Sequence, residues 1–292
     1  MSSRITKYNT QRWLSVLLIT ILFSIQARAT AVIVFISKQG ISIATDSKIT
    51  VIGGEAREGS KCFIVQGRLA IASLGTDRLL FSQKTGPPVM DYEFGAWVHR
   101  IEGGLRANTS FDAFVATVTE EVRKMVPQWQ SMVNVKGITR RLPADMIESP
   151  VHYVIAGYQD GVPKLSVVEI YINWETNSIL GPYQVPIEPK GPSPDHTRGY
   201  MLGITQVAVQ VGDPQSYAYK QTAARSPKAL KELVNQGTLS LEESSALARD
   251  LVEVEQETNP KQVGGTVRVI EIAPTGKARD LVEGQSAPGT AR

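Results

Sequence analysis

Thr30-Ala31-Val32-Ile33-Val34-Phe35-Ile36-Ser37-Lys38-Gln39-Gly40-Ile41-Ser42-Ile43-Ala44-Thr45-Asp46-Ser47-Lys48 carries two short apolar, β-branched runs, 31–36 and 41–44, around the segment Ser-Lys-Gln-Gly. That pattern reads as a hairpin. A second pair follows: the glycine-rich segment 52–60 is a connection, and 62–65 and 69–73 are the next strands, turning at Gln66-Gly67-Arg68. The beginning is therefore a β-meander.

Upstream of this hairpin, residues 1–13 hold Arg4, Lys7 and Arg12 with no acid, and 14–25 are apolar except for Ser15, Thr20 and Ser24. Twelve residues are short for a bilayer span, which needs about 20. With the small-x-small site Ala27-Arg28-Ala29 behind it, the segment reads as a cleavable signal peptide, 1–29, that directs the chain to the periplasm or the medium. A second small-x-small pattern, Ala29-Thr30-Ala31, overlaps the first, and only the first cut leaves Thr30 in place. An uncleaved leader would be the sole membrane attachment. The leader takes four of the 31 basic residues and no acid, leaving 27 basic against 28 acidic residues. Nucleic-acid binding thereby loses its electrostatic argument.

Downstream, 92–105 and 110–125 have helical spacing, the second capped by Ser110 with Phe111, Phe114, Val115, Val118 and Val122 on one face. Strands are expected at 151–156 and 164–171, a surface loop at the proline-rich 186–197, a helix at 239–256 capped by Ser240, and a last strand at 266–272. Strands in hairpins, with helices following in pairs, fit an α+β fold, a four-layer α/β/β/α sandwich, better than parallel βαβ units. The domain is expected over 30–276, with a mobile tail at 277–292.

Thr30 carries the chemistry. A threonine made N-terminal by leader cleavage has a hydroxyl nucleophile and a free amine able to act as its base. Asp46 stands sixteen residues on, Lys48 eighteen and Thr50 twenty; Lys61 follows at thirty-one, and Gly75 fourteen beyond Lys61, after the apolar run Leu69-Ala70-Ile71-Ala72. In this pattern and order the residues resemble the β-type subunits of the proteasome and its bacterial relatives, a branch of the N-terminal-nucleophile (Ntn) hydrolases. One deletion within 52–60 brings Lys61 and Gly75 to the family's spacing. The resemblance runs, with gaps, to about residue 276. It implies Thr30 as nucleophile, Asp46 and Lys61 as the pair that tunes it, Gly75 as oxyanion donor and Thr50 as an aligner of extended peptide, with Lys48 and Thr205 as accessories. It implies a peptide or amide substrate and no cofactor. Two departures stand out: Pro260-Lys261-Gln262-Val263-Gly264-Gly265 replaces Asp-x-x-Ser-Gly-Gly, and Gly203-Ile204-Thr205 replaces Gly-Ser-Gly.

The alternatives are a non-catalytic proteasome-like module for binding or assembly, and a hydrolase of a non-peptide amide. Family relatives form rings, so a homo-oligomer is an expectation, although insertions at 78–90 and 129–149 would obstruct the same contacts. His99, His152 and His196 lack paired ligand spacing, so no metal site is expected. Cys62, the single cysteine, reads as a buried inert thiol in a strand.

Overall fold

The computed structural model describes residues 30–49, 57–75, 93–133, 147–173, 175–188, 195–203 and 205–281. The leader and Thr50 lie outside these residues, as does the insertion at 78–90. The chain runs β1 (Ala31–Ser37), β2 (Gly40–Thr45), β3 (Lys48–Ile49), β4 (Arg57–Glu58), β5 (Cys62–Val65) and β6 (Leu69–Gly75). Helices α1 (Phe94–Gly104) and α2 (Phe111–Val133) come next, then β7 (Ile147–Gln159), β8 (Val162–Asn173), β9 (Ser178–Glu188) and β10 (Arg198–Gly203). A 3-10 turn (Ala208–Gly212), helices α3 (Tyr217–Arg225), α4 (Pro227–Val234) and α5 (Leu241–Thr258), and strands β11 (Arg268–Ile272) and β12 (Ala278–Leu281) complete it.

Two five-stranded antiparallel sheets form, in the orders β10-β1-β2-β11-β12 and β5-β6-β7-β8-β9, beside the small pair β3-β4. The arrangement is mixed α+β. All of β1 is buried because its alternate residues enter different cores. Ala31, Ile33 and Phe35 pack with Leu247, Leu251 and Val252 of α5, whereas Val32, Val34 and Ile36 meet Ala70, Ala72 and Val154 of the second sheet. A strand covered on both faces needs a continuous apolar run, which is why 31–36 shows no polar alternation. A third cluster joins Phe94, Trp97, Phe114 and Val118 of α1 and α2 to Ile71, Tyr153 and Ile155 on the other face of the second sheet.

The helix caps follow their sequence signals. Ser240 Oγ accepts the Glu243 N–H at 3.1 Å and Glu243 Oε2 accepts the Ser240 N–H at 3.0 Å, a capping box at the start of α5. Helix α2 runs beyond the expected end at 125, through Pro127, because Trp129 is fully buried in the core and outweighs the lost backbone bond.

The proline-rich loop expected at 186–197 is in part β9, which carries Pro182 and Pro186. β9 is an edge strand, where a missing N–H breaks no ladder. The C-terminal boundary also differs, since Ala278–Leu281 forms β12 despite its polar composition. Ion pairs compensate: Arg268 with Asp280, and Arg279 Nε with Glu271 at 2.6 Å.

Glu255 of α5 is fully buried. It accepts the N–H groups of Val207 and Ala208, each at 2.9 Å, and Asn259 Nδ2 at 2.9 Å. Burial pushes its carboxyl above the ordinary value, against those bonds. Glu255→Ala leaves these donors without an acceptor and is expected to lower unfolding free energy by about 2–3 kcal/mol. Urea denaturation reads the loss; a change below about 0.5 kcal/mol would show that the carboxylate does not hold this turn.

Candidate functional site

The start of β1, the end of β2, the start of β5 and the end of β6 share one end of the two sheets, as the pairings Val32 with Thr45 and Cys62 with Ala72 require. Asp46 lies just past β2 and Lys61 just before β5; Thr30 precedes β1. All three side chains are buried.

Asp46 organises this end. Its Oδ1 accepts the Ala31 N–H at 3.0 Å. Its Oδ2 accepts Lys61 Nζ at 3.0 Å and the N–H groups of Lys48 at 3.2 Å and Gly264 at 3.4 Å. Burial pushes the carboxyl above its ordinary value, opposed by the Lys61 ammonium and by the Ala31 and Gly264 N–H groups. A carboxylate so placed holds a buried ammonium and, through Ala31, the main chain that carries Thr30. The Lys61 carbonyl in turn accepts the Ser73 N–H at 2.9 Å, tying β5 to β6 two residues from Gly75.

Gly203 ends β10 opposite Ala31. It has φ +80°, and a Cβ there would collide with the Thr30 carbonyl oxygen and stand 2.8 Å from Leu74 Cδ2. Leu74 therefore spans from the β1–β10 pair to Gly75, the last residue of β6, which pairs with Val151. Gly203→Ala is expected to cost about 2–3 kcal/mol, from a left-handed backbone that L residues resist and from the collision. Chemical denaturation tests it; an unchanged midpoint would mean that β10 does not press on Thr30.

The accessories divide. Lys48 donates its N–H to the Gly264 carbonyl at 2.9 Å and its Nζ to the Pro260 carbonyl, so this side chain anchors the 260–264 loop. Thr205 is buried, its carbonyl accepts the Val209 N–H at 3.0 Å, and among the described residues no hydrogen bond joins it to Asp46. Thr50 falls outside the described residues. Val263, where the resemblance would have a serine, is buried in the apolar core under α5. Cys62 is buried and desolvation pushes its thiol up to about 12, so it is not a nucleophile. Among the described residues no group of three or more His, Cys, Asp or Glu side chains is arranged to hold a metal ion.

Sequence reasoning missed the Gly264 N–H on Asp46, because the two residues lie far apart in the chain. It noted Gly203 only as part of a degraded match. The positive φ and the approach to Thr30 had no local signal beyond glycine itself.

No protein-family model matches the sequence, and no curated protein matches it. Solved structures share its fold. A structure described as the helical assembly of the Anbu complex from Pseudomonas aeruginosa aligns with a TM-score of 0.53 and 13% identity over 88% of each chain. Anbu from Hyphomicrobium sp. strain MC1 aligns at 0.49 and 13% over 86% of each chain. Anbu (ancestral beta-subunit) from Yersinia bercovieri aligns at 0.48 and 12%, over 87% of this chain and 88% of its own. At such identities the likeness is one of fold. It corrects the family expected from the sequence: the fold matches that of an Anbu protein, and no family model supports assignment to the proteasome β-type Ntn hydrolases. Six dispersed residues and their spacing are too few to fix a family on a shared scaffold. The chain has a proteasome-like fold, similar to that of Anbu.

Proposed function

We propose that the chain is an exported amide hydrolase that cuts peptides through an acyl-enzyme ester on Thr30. The supporting observation is the double grip of Asp46, whose carboxylate binds Lys61 Nζ and the N–H of the residue after Thr30, each at 3.0 Å. Leader cleavage after Ala29 frees the Thr30 amine. With a pKa near 7.7–8.0, an α-amine takes the hydroxyl proton directly or through one water. The Lys61 ammonium favours ionisation of that hydroxyl, and Asp46 keeps the ammonium charged in a buried place. Thr30 Oγ bonds to the scissile carbonyl carbon and the C–N bond breaks, the leaving amine taking the proton. Water then hydrolyses the ester. The Gly75 N–H faces the oxyanion, a donor worth about 3 kcal/mol of barrier. Thr50 aligns the peptide.

Helices, sheet, sheet and helices in four layers is the reading that the three cores support, with the reaction at the end of the sheets where Thr30 precedes β1. Self-association is part of the proposal too, because the Pseudomonas Anbu complex is described as a helical assembly. Light scattering tests it, and a monomer at every concentration removes it.

N-terminal sequencing of the exported protein decides the central step. Thr30 at the terminus, together with a covalent adduct of a threonine-directed inhibitor on that residue, is the expected result. A terminus at Val32 or Met1 sinks the mechanism. A non-catalytic module is the second reading, and buried Val263 favours it, since no hydroxyl there supports the amine.

A further inference from the structure

Beside Gly75 lies a polar row that the proposed chemistry does not use. Backbone pairing sets Leu74 opposite His152, His152 opposite Glu169, and Glu169 opposite Tyr183, across β6, β7, β8 and β9. Directly opposed residues share a face, with Cβ atoms about 5 Å apart. Leu74, Val154 and Val167 belong to the core between the sheets, so the row lies on that same inner face, at the end where Thr30 stands.

The row is tightly bonded. His152 Nδ1 is 3.2 Å from Glu169 Oε1, and the Tyr171 hydroxyl donates to Glu169 Oε2. The Tyr171 ring lies edge-on to His152, at 6.3 Å, and 6.0 Å from Tyr183. The Glu169 side chain is 4% exposed and His152 13%, while Tyr183 is 48% exposed. Burial pushes the Glu169 carboxyl up, but the His152 and Tyr171 bonds outweigh it and hold it below the ordinary value. Among the described residues no lysine or arginine pairs with the buried Glu169 carboxylate, whose one ion-pairing contact is His152. Buried charges ordinarily meet an opposite charge.

We propose that this row is the subsite for a basic side chain, lysine or arginine, on the substrate residue bound beside Gly75. The cation meets the faces of Tyr171 and Tyr183, which attract cations, in the field of the Glu169 carboxylate. Glu169 is a positioning residue: it orients His152 and supplies the field. The inference rests on the hydrolase reading for its substrate, and on geometry alone for the site.

Two capped peptides, identical except for lysine against norleucine at the varied position, test it. The mature protein is expected to favour lysine by about tenfold in kcat/KM, carried by KM. Glu169→Gln is expected to bring that ratio near one, and Tyr183→Leu, at a half-exposed position, to reduce it. A ratio of one in the unmodified protein, or one that both variants leave intact, overturns the proposal. If neither peptide is cut, the same pair is titrated calorimetrically into the Thr30→Ala protein. Tighter binding of the lysine peptide keeps the subsite while the hydrolase reading fails; equal dissociation constants overturn the subsite.

Discussion

Thr30→Ala is expected to lower kcat for a cleaved peptide by at least about 10⁴-fold and to abolish labelling by a threonine-directed inhibitor. The argument is chemical. Alanine keeps the freed amine and the small residue behind the leader site, so export and processing are preserved, but no hydroxyl remains to form the ester. Thr30 is fully buried, and its loss removes one hydroxyl and one methyl, a cost of about 1 kcal/mol. Thr30→Ser is the matched control, because it restores the nucleophile with slightly altered packing and should recover activity in large part. Activity that survives in the alanine variant would move the chemistry elsewhere.

Asp46→Ala should cost more stability than any other single change at this end of the sheets. It strips an acceptor from the Ala31, Lys48 and Gly264 N–H groups and takes the Asp46 carboxylate away from the buried Lys61 ammonium. Breaking a buried pair from one side costs about 3–5 kcal/mol. Lys61→Met removes the other side and adds a pH signature. The Asp46 carboxyl, already raised by burial, rises further when the ammonium is gone. A folded-state value above the ordinary 3.8 means that the folded protein holds this proton more tightly than the unfolded chain. Stability from this group is therefore highest below 3.8 and falls as pH rises through the raised value. The gap between Lys61→Met and the unmodified protein should widen from pH 4 to pH 8 in urea titrations. A constant gap would show that Asp46 and Lys61 are not coupled.

The legible parts of the fold were those under the strongest burial. β1, β2 and β6 announce themselves because strands covered on both faces spell out apolar runs, and β5, although at an edge, keeps Cys62 to Val65 apolar. α5 announces itself through its capping box and periodic Leu247, Leu251 and Val254. β9, β10 and β12 were not legible, since each is an edge strand where proline, glycine or charge is tolerated. Gly199 of β10 looks like a breaker, yet a Cβ there would stand 2.7 Å from the Phe35 ring. Helices α3 and α4 are nine and eight residues long, too short for their periodicity to stand out. For the site, Asp46 and Lys61 could be picked by spacing and are in fact bonded. The backbone donors around them could not, because pairing between distant segments leaves no mark on residue type.

The bond from Asp46 to the Ala31 N–H has a bearing on timing. It engages the chain one residue beyond the proposed cut, and it needs no free amine on Thr30. In the proposed mechanism the cradle for Thr30 can therefore stand before Thr30 has its base. In the proposed mechanism, maturation is an uncapping: one peptide bond is severed and an amine appears amid groups already in position. The exporting cell would hold a folded but silent precursor, with activity beginning only where the leader is shed.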